Sequence, residues 1–336
     1  MSTEITGSRK AVREFTVTSR LLAAAGRPWL RARSRWAASL ALAVLITSFG
    51  LAAPAEAAFP GHDGKIIFVR GDHLYTMRAD GSDVTQLARG NLDQQPAWSP
   101  DGRQIAFSRQ VKTGFLHIYV MEADGTGVRQ ITAARNDDYA PAWAPHGPRV
   151  AFVRGLEKPR VYVMNLHGGG RRPVARGYTV AWSPDGKWLA ISRIVRDKAA
   201  IFLVRPNRRD LHRLIPPSIA GDDPNWSPDG HRLAFTLINN LHGPPSTWSS
   251  DIAVIARNGT GLTRVTHNHP GVDTGPAWSP SGSKIVFDRS TFKSMTAVDR
   301  LYILHIPAAP SHRRLRLKPG IEGIEPDWQP LVRKSH

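Results

Sequence analysis

The chain has 336 residues, 41% of them hydrophobic and 21% charged, with no cysteine and a formal charge of +18. The lack of cysteine excludes disulfides, thiolate metal sites, a cysteine nucleophile and a lipid-modified N-terminal cysteine, while leaving the compartment open. Residues 59–336 carry 37 Lys/Arg against 24 Asp/Glu, a net of +13, a balance that favours anionic envelope polymers at low salt. There is no run of five or six basic residues, and the densest cluster, His312–Lys318, alternates as a strand would. Nucleic acid is therefore not a favoured partner.

Residues 37–53 form an uncharged apolar run, preceded by Arg27, Arg31, Arg33 and Arg35 and followed by Ala55-Glu56-Ala57. Positive charge, apolar stretch and small residues in that order predict a secretory signal cut after Ala57. A run of this length sits at the lower edge of what spans a bilayer, so an uncleaved anchor is the alternative. The predicted organisation is a leader over 1–57, one repeat domain over 58–333 and a tail over 334–336.

The repeat is carried by Pro96-Ala97-Trp98-Ser99-Pro100-Asp101-Gly102, which returns around Trp143, Trp182, Trp226, Trp278 and, cut short, Trp328. The Trp positions are 45, 39, 44, 52 and 50 residues apart, a period typical of repeat architectures. After each Asp-Gly comes a short β-branched and aromatic run, such as Gln104–Phe107, then a second, such as His117–Met121. Both are too short for helices and read as strands. A tight turn such as Asp80-Gly81, Asp124-Gly125 or Asn258-Gly259 leads to a third strand, and the Trp segment supplies the fourth. The 29 Gly and 26 Pro fit so many turns. The predicted fold is all-β: a six-bladed β-propeller of four-stranded antiparallel blades, closed by pairing of the C-terminal strand around Trp328 with the first strand at 65–69.

One Trp per blade at one register suits packing between blades rather than ligand stacking. Ser-Pro-Asp-Gly is turn chemistry, so its Asp residues are not candidate catalysts. With the Trp strand named a and the next three b, c and d, the b–c and d–a connections share one face of the ring. Longer b–c connections are predicted at 238–250 and 289–299, the first carrying Trp248 as a candidate contact aromatic. The d–a connections carry Asp93, Asp137, Asp138, Asp222, Asp223, Asp273, Glu322 and Glu325, with Tyr139 and Tyr178 beside them. These acids either form a negative channel mouth that draws in a cation or a basic segment, or cap their own turns. His267 and His269, near Asp273, are a weak metal pair. No nucleophile elbow, phosphate loop or Cys/His metal spacing occurs.

The recurring Pro-x-Trp-Ser-Pro-Asp-Gly, followed by Ile-Tyr-Val-Met-x-Ala-Asp-Gly and Arg-Gln-Ile-Thr, closely resembles the WD40-like repeats of TolB-type propellers over about residues 62–330, most clearly over 93–132. In that family the propeller is periplasmic and its channel mouth receives the peptidoglycan-associated lipoprotein. The resemblance implies that Asp93, Asp138 and Asp273 surround such a mouth. It also implies a stand-alone propeller, because Ala57 leaves no room for the α/β domain that precedes the propeller in TolB. The resulting expectation is an exported, monomeric, non-catalytic module without a cofactor, binding a protein or peptide in the cell envelope. A metal- or quinone-dependent propeller enzyme and attachment to an anionic polymer are the alternatives.

Overall fold

The computed structural model describes residues 59–88, 92–241, 247–267, 271–293, 296–306 and 321–331. The leader, the tail and His269 lie outside these residues. The described chain is all strand and turn, with no α-helix.

Strands β1 (His62–Arg70), β2 (His73–Met77) and β3 (Thr85–Ala88) open the chain, followed by β4 (Asp93–Trp98), β5 (Gln104–Gln110), β6 (Leu116–Glu122) and β7 (Arg129–Gln130). Next come β8 (Asp138–Trp143), β9 (Arg149–Arg154), β10 (Arg160–Asn165) and β11 (Arg172–Arg176), then β12 (Thr179–Trp182), β13 (Leu189–Val195), β14 (Lys198–Val204) and β15 (His212–Arg213). The remainder is β16 (Ala220–Trp226), β17 (Arg232–Asn240), β18 (Ser249–Ala256), β19 (Thr263–Arg264), β20 (Gly271–Trp278), β21 (Lys284–Lys293), β22 (Thr296–His305) and β23 (Ile324–Leu331).

Four sheets are four-stranded, in the orders β23-β1-β2-β3, β4-β5-β6-β7, β8-β9-β10-β11 and β12-β13-β14-β15. A seven-stranded sheet contains β16 to β19 and β20 to β22, its two parts joined by a parallel contact of Ser249 with Gly271 and Ser250 with Val272. The architecture is a β-propeller of four-stranded antiparallel blades. Within the first sheet, Ile66 of β1 lies opposite Trp328 of β23. Three of the strands d, β7, β15 and β19, are only two residues long and wholly polar, with little to bury.

The apolar core lies between sheets. Trp98 packs with Ile67, Val69, Ile105 and Phe107; Trp226 with Ala181, Ile201, Leu233 and Phe235; Trp278 with Ala234, Ile252 and Phe287. Trp328 meets Ile66, Phe68, Ala277 and Val286. Alanine one position before a Trp leaves space for the ring from the next sheet: Trp143 packs on Ala97 and donates its indole N–H to the Ala97 carbonyl at 3.0 Å. Rings of this size each bury about 150–250 Å², so the sheets are held mainly by apolar contact.

The predicted b–c connection at 289–299 is largely strand instead. β21 and β22 pair from Lys284 with His305 out to Lys293 with Thr296. Thr291, Thr296 and Val298 are β-branched and suit an extended ladder. Strands also take up both ends of the predicted 238–250 connection, β17 running to Asn240 and β18 starting at Ser249.

Candidate functional site

The inner strands share a feature that shapes one face. Three residues before the Trp, the backbone has positive φ in five of six: Gln95 (55°), Ala140 (55°), Asp223 (50°), Gly275 (57°) and Glu325 (55°). The pairing register slips there, between Gln94 and Ala97, Tyr139 and Ala142, Asp222 and Asn225, and Thr274 and Ala277. Each is a β-bulge, which bends the strand and re-aims its side chains. Sequence reasoning missed these bulges, since Gln95, Ala140 and Glu325 are not residue types that a positive φ favours.

Just before the bulge, Asp93, Asp138 and Asp273 stand cross-strand from Arg109, Arg154 and Arg289. Each pair is a two-pronged fork: 2.6 and 2.8 Å for Arg109, 2.6 and 2.6 Å for Arg154, and 2.5 and 2.8 Å for Arg289. Every guanidinium also lies over aromatic rings, Arg109 on Phe107 and Tyr119, Arg154 on Phe152 and Tyr162, Arg289 on Phe287 and Tyr302. The three carboxylates have no side-chain exposure, whereas the arginines keep 18%, 14% and 13%. Each acid is thus neutralised by its own arginine, and what reaches solvent is the edge of a guanidinium. The arginines follow their Asp by sixteen residues every time, a constant spacing that could have found them.

A second acidic group gathers on the inner strands. Tyr178 donates its hydroxyl to Asp222 at 3.0 Å, and the Asp223 N–H donates to Asp222 at 2.8 Å. Glu325 accepts the Gln95 N–H at 2.5 Å, and Asp288 accepts from the Thr274 hydroxyl at 2.5 Å. Asp223 Oδ1 and Glu325 Oε1 are buried without a hydrogen-bond partner among the described residues. Burial pushes the Asp288 carboxyl up to about 7, helped by the Asp299 charge, and the Glu325 carboxyl up to about 8, helped by Asp288. Asp223 is raised well above the carboxylate range by burial and by the Asp222, Asp288 and Glu325 charges. Asp288, on β21, was not a candidate from sequence; a lone Asp in a strand gives no signal until the sheet is built.

Residues 72–181 and 116–246 match the family model described as TolB beta propeller domain, and these stretches together cover half of the chain. The chain belongs to the TolB β-propeller family. It is 31% identical over 202 residues to an uncharacterized protein, Atu1656, of Agrobacterium fabrum, covering 58% of this chain and 65% of that protein. It is 37% identical over 62 residues to the Tol-Pal system protein TolB of Zymomonas mobilis, covering 18% of this chain and 14% of that protein. The chain thus spans less than two thirds of the length of either curated relative. TolB from Acinetobacter baumannii has the same fold, with a TM-score of 0.64 at 21% identity over 80% of this chain and 67% of that one.

On the opposite face of this TolB-type propeller, the turn residues are occupied by local bonds. Ser99 donates to Asp101 at 2.6 Å, Asp101 accepts the Arg103 N–H at 3.1 Å, and the Gln104 N–H donates back to Ser99 at 2.9 Å. Ser183 with Asp185 and Ser227 with Asp229 repeat the pattern at 2.6 and 2.5 Å. Gly102 has φ +67°, and a Cβ there would fall 2.2 Å from the Pro330 carbonyl oxygen, so the turn also needs glycine to let β23 pass.

The other sequence candidates are scattered. Asp137, half-buried, accepts the Leu116 N–H at 3.0 Å, and Tyr139 is buried, its hydroxyl pushed up by that burial. Glu322 is exposed and 3.8 Å from Arg70. Trp248 is half-buried, edge-on to Phe292 at 5.6 Å, so it braces the β21–β22 hairpin. His267 is exposed. Among the described residues no group of three or more His, Cys, Asp or Glu is placed to hold a metal ion.

The raised carboxyls give a pH prediction. Asp288, Glu325 and Asp327 have folded values of about 7, 8 and 7, above ordinary values of 3.8, 4.5 and 3.8. Between roughly pH 5 and 8 the native state holds protons that the unfolded chain has released, so their contribution, complete below the ordinary values, is lost as pH rises. In metal-free buffer the melting temperature is expected to fall from pH 5.5 to 8.5, and Glu325→Gln to flatten the slope. A melting temperature that is level or climbs over that interval contradicts the assignment.

Proposed function

We propose that the chain is an exported, non-catalytic TolB-type propeller that holds a segment of a cell-envelope protein on the face carrying the inner-strand bulges. The observation that carries this reading is the contrast between the two faces. On the turn face, polar side chains satisfy one another within Ser-Pro-Asp-Gly. The bulge face has the partly exposed side chains of Arg109, Arg154 and Arg289, the half-buried Asp222 and the half-buried Trp248. A mixed polar and aromatic surface on a rigid scaffold suits recognition of a polypeptide. The periplasmic location and protein partner of the TolB family support the same reading, as does the sequence of the leader.

The ring we propose is six-bladed and closed. β23 would close the ring through its pairing with β1, reinforced by Asp327, which accepts the Trp98 N–H at 2.7 Å, and Gln329, which donates to the Gly102 carbonyl at 2.9 Å.

Site-specific photo-cross-linking in the living cell tests the function without knowing the partner. A photoreactive phenylalanine derivative at position 248, on the bulge face, is expected to form a discrete protein adduct. The same group at position 187, where Lys187 is exposed on the turn face, is expected to form none.

A further inference from the structure

Three of the six inner strands lack the fork, with Gly177, Gly221 and Gly323 five residues before the Trp; two of these sectors keep the b-strand arginine, as Arg70, which meets Glu322 at 3.8 Å, and as Arg193. Arg109, Arg154 and Arg289 each lie on the b strand, stack on an aromatic ring of the c strand and grip an Asp of the a strand. Arg193 is their counterpart on β13. It stacks on Phe202 of β14 at 4.8 Å, and Phe202 stands opposite Ile191 as Tyr119 stands opposite Phe107. The a strand differs: β12 has no positive-φ residue and no register slip. Thr179 pairs with Ser192, and the Tyr178 N–H also donates to the Ser192 carbonyl at 3.0 Å, so the next residue along the strand, at the position of the forked Asp, is Gly177.

Tyr178 does not replace the missing acid, because its hydroxyl is committed to Asp222. Gly177, five residues before Trp182 where β4, β8 and β20 have Asp, is buried against the Ser192 carbonyl and Ile191. Arg193 consequently has no hydrogen bond and no ion pair among the described residues. The neighbouring charge is of the same sign: Arg176 ends β11, exposed and cross-strand from Arg160. Burial, and then the Arg176 charge, push the Arg193 guanidinium down. A half-buried guanidinium held on a ring beside a second arginine is an anion receptor whose own fold supplies no anion.

We propose that Arg193, with Arg176 beside it, is the subsite that receives an Asp or Glu side chain of the bound polypeptide, which takes the part that Asp93, Asp138 and Asp273 play in the sister blades. This rests on the polypeptide-binding reading above and names one determinant of it. The fork geometry argues for a carboxylate, because the same planar N–H pair meets a carboxylate in all three intact copies. Its place on β13, at the register that Arg109 holds on β5, puts it on the bulge face.

The test uses the full-length mature protein and an acetylated, amidated tetraglutamate peptide, with tetraglutamine and inorganic phosphate at matched ionic strength as comparisons. The Arg193 Nε–Hε resonance is expected to shift saturably with tetraglutamate and not with tetraglutamine. Arg193→Gln should weaken tetraglutamate binding about tenfold or more, in line with a charge-assisted bond, Arg193→Lys should weaken it less, and Arg172→Gln, an exposed arginine of β11, should leave it unchanged. Equal weakening by the Arg193 and Arg172 variants would show diffuse attraction to a basic surface and overturn the proposal. So would a larger response to phosphate, or no shift at all. These outcomes are separable from the partner reading: an adduct at position 248 that persists in Arg193→Gln removes the carboxylate subsite and leaves partner binding intact. No adduct at 248 removes the reading on which the subsite rests.

Discussion

Removal of residues 321–336 is expected to abolish the cooperative thermal transition of the full-length protein, rather than lower it by the degree or two that an ordinary tail would cost. The segment contains β23, which pairs with β1 from His62 opposite Leu331 to Val69 opposite Ile324, so its loss exposes the b strand of the first blade along its length. It also removes Trp328, only 2% exposed and packed on Ile66, Phe68 and Val286. Truncating a single buried Trp costs about 3–5 kcal/mol, already a large share of the 5–15 kcal/mol typical of a folded domain. Polar links go as well: Asp327 holds the Trp98 N–H, Gln329 accepts the Lys65 N–H at 3.2 Å, and Glu325 holds the Gln95 N–H. Trp328→Ala should reproduce a substantial part of the loss by calorimetry. A truncated protein melting cooperatively near the full-length temperature would mean that β23 is an accessory strand.

The second large effect is expected at a fork. Arg154→Met leaves the Asp138 carboxylate, which has no side-chain exposure, buried without its counter-charge. Breaking a buried pair from one side costs about 3–5 kcal/mol, and at about 2–4 °C per kcal/mol for a domain of this class the melting temperature should fall by roughly 10 °C. Asp138→Leu combined with Arg154→Met should recover part of that loss, because the pair is then replaced by apolar contact instead of being halved. If the double variant is as unstable as the sum of the two single variants, the fork is not coupled and the distances at Asp138 have no energetic meaning. The partly exposed guanidinium makes the lower end of the range the expected value.

Much of the scaffold was legible because its signals are local or periodic. Each Trp marks an inner strand, each Ser-Pro-Asp-Gly marks a turn held by bonds two to five residues apart, and each short β-branched run marks a strand with a buried face. What was illegible depends on pairing. The acids Asp93, Asp138 and Asp273 can be picked out in sequence, but whether they are open charges depends on arginines across the strand at Arg109, Arg154 and Arg289. Asp288 and Glu325, 37 residues apart, interact only because β21 and β23 come together, and that approach has no sequence signal. The inner-strand bulges were hidden for a different reason: Gln95, Ala140 and Glu325 are not residues that a positive φ selects, so the side chain there carries no signal of the backbone. Trp248 is visible in the sequence as a tryptophan outside the repeat register, yet its edge contact with Phe292 depends on the extended β21–β22 hairpin.

The proposed function stands or falls on which face of the propeller meets another protein, and cross-linking from the two faces in the cell measures that most directly. A discrete adduct from position 248, retained at high salt and absent from position 187, is the predicted result. Adducts from both positions, or from position 187 alone, would contradict a binding mouth on the bulge face.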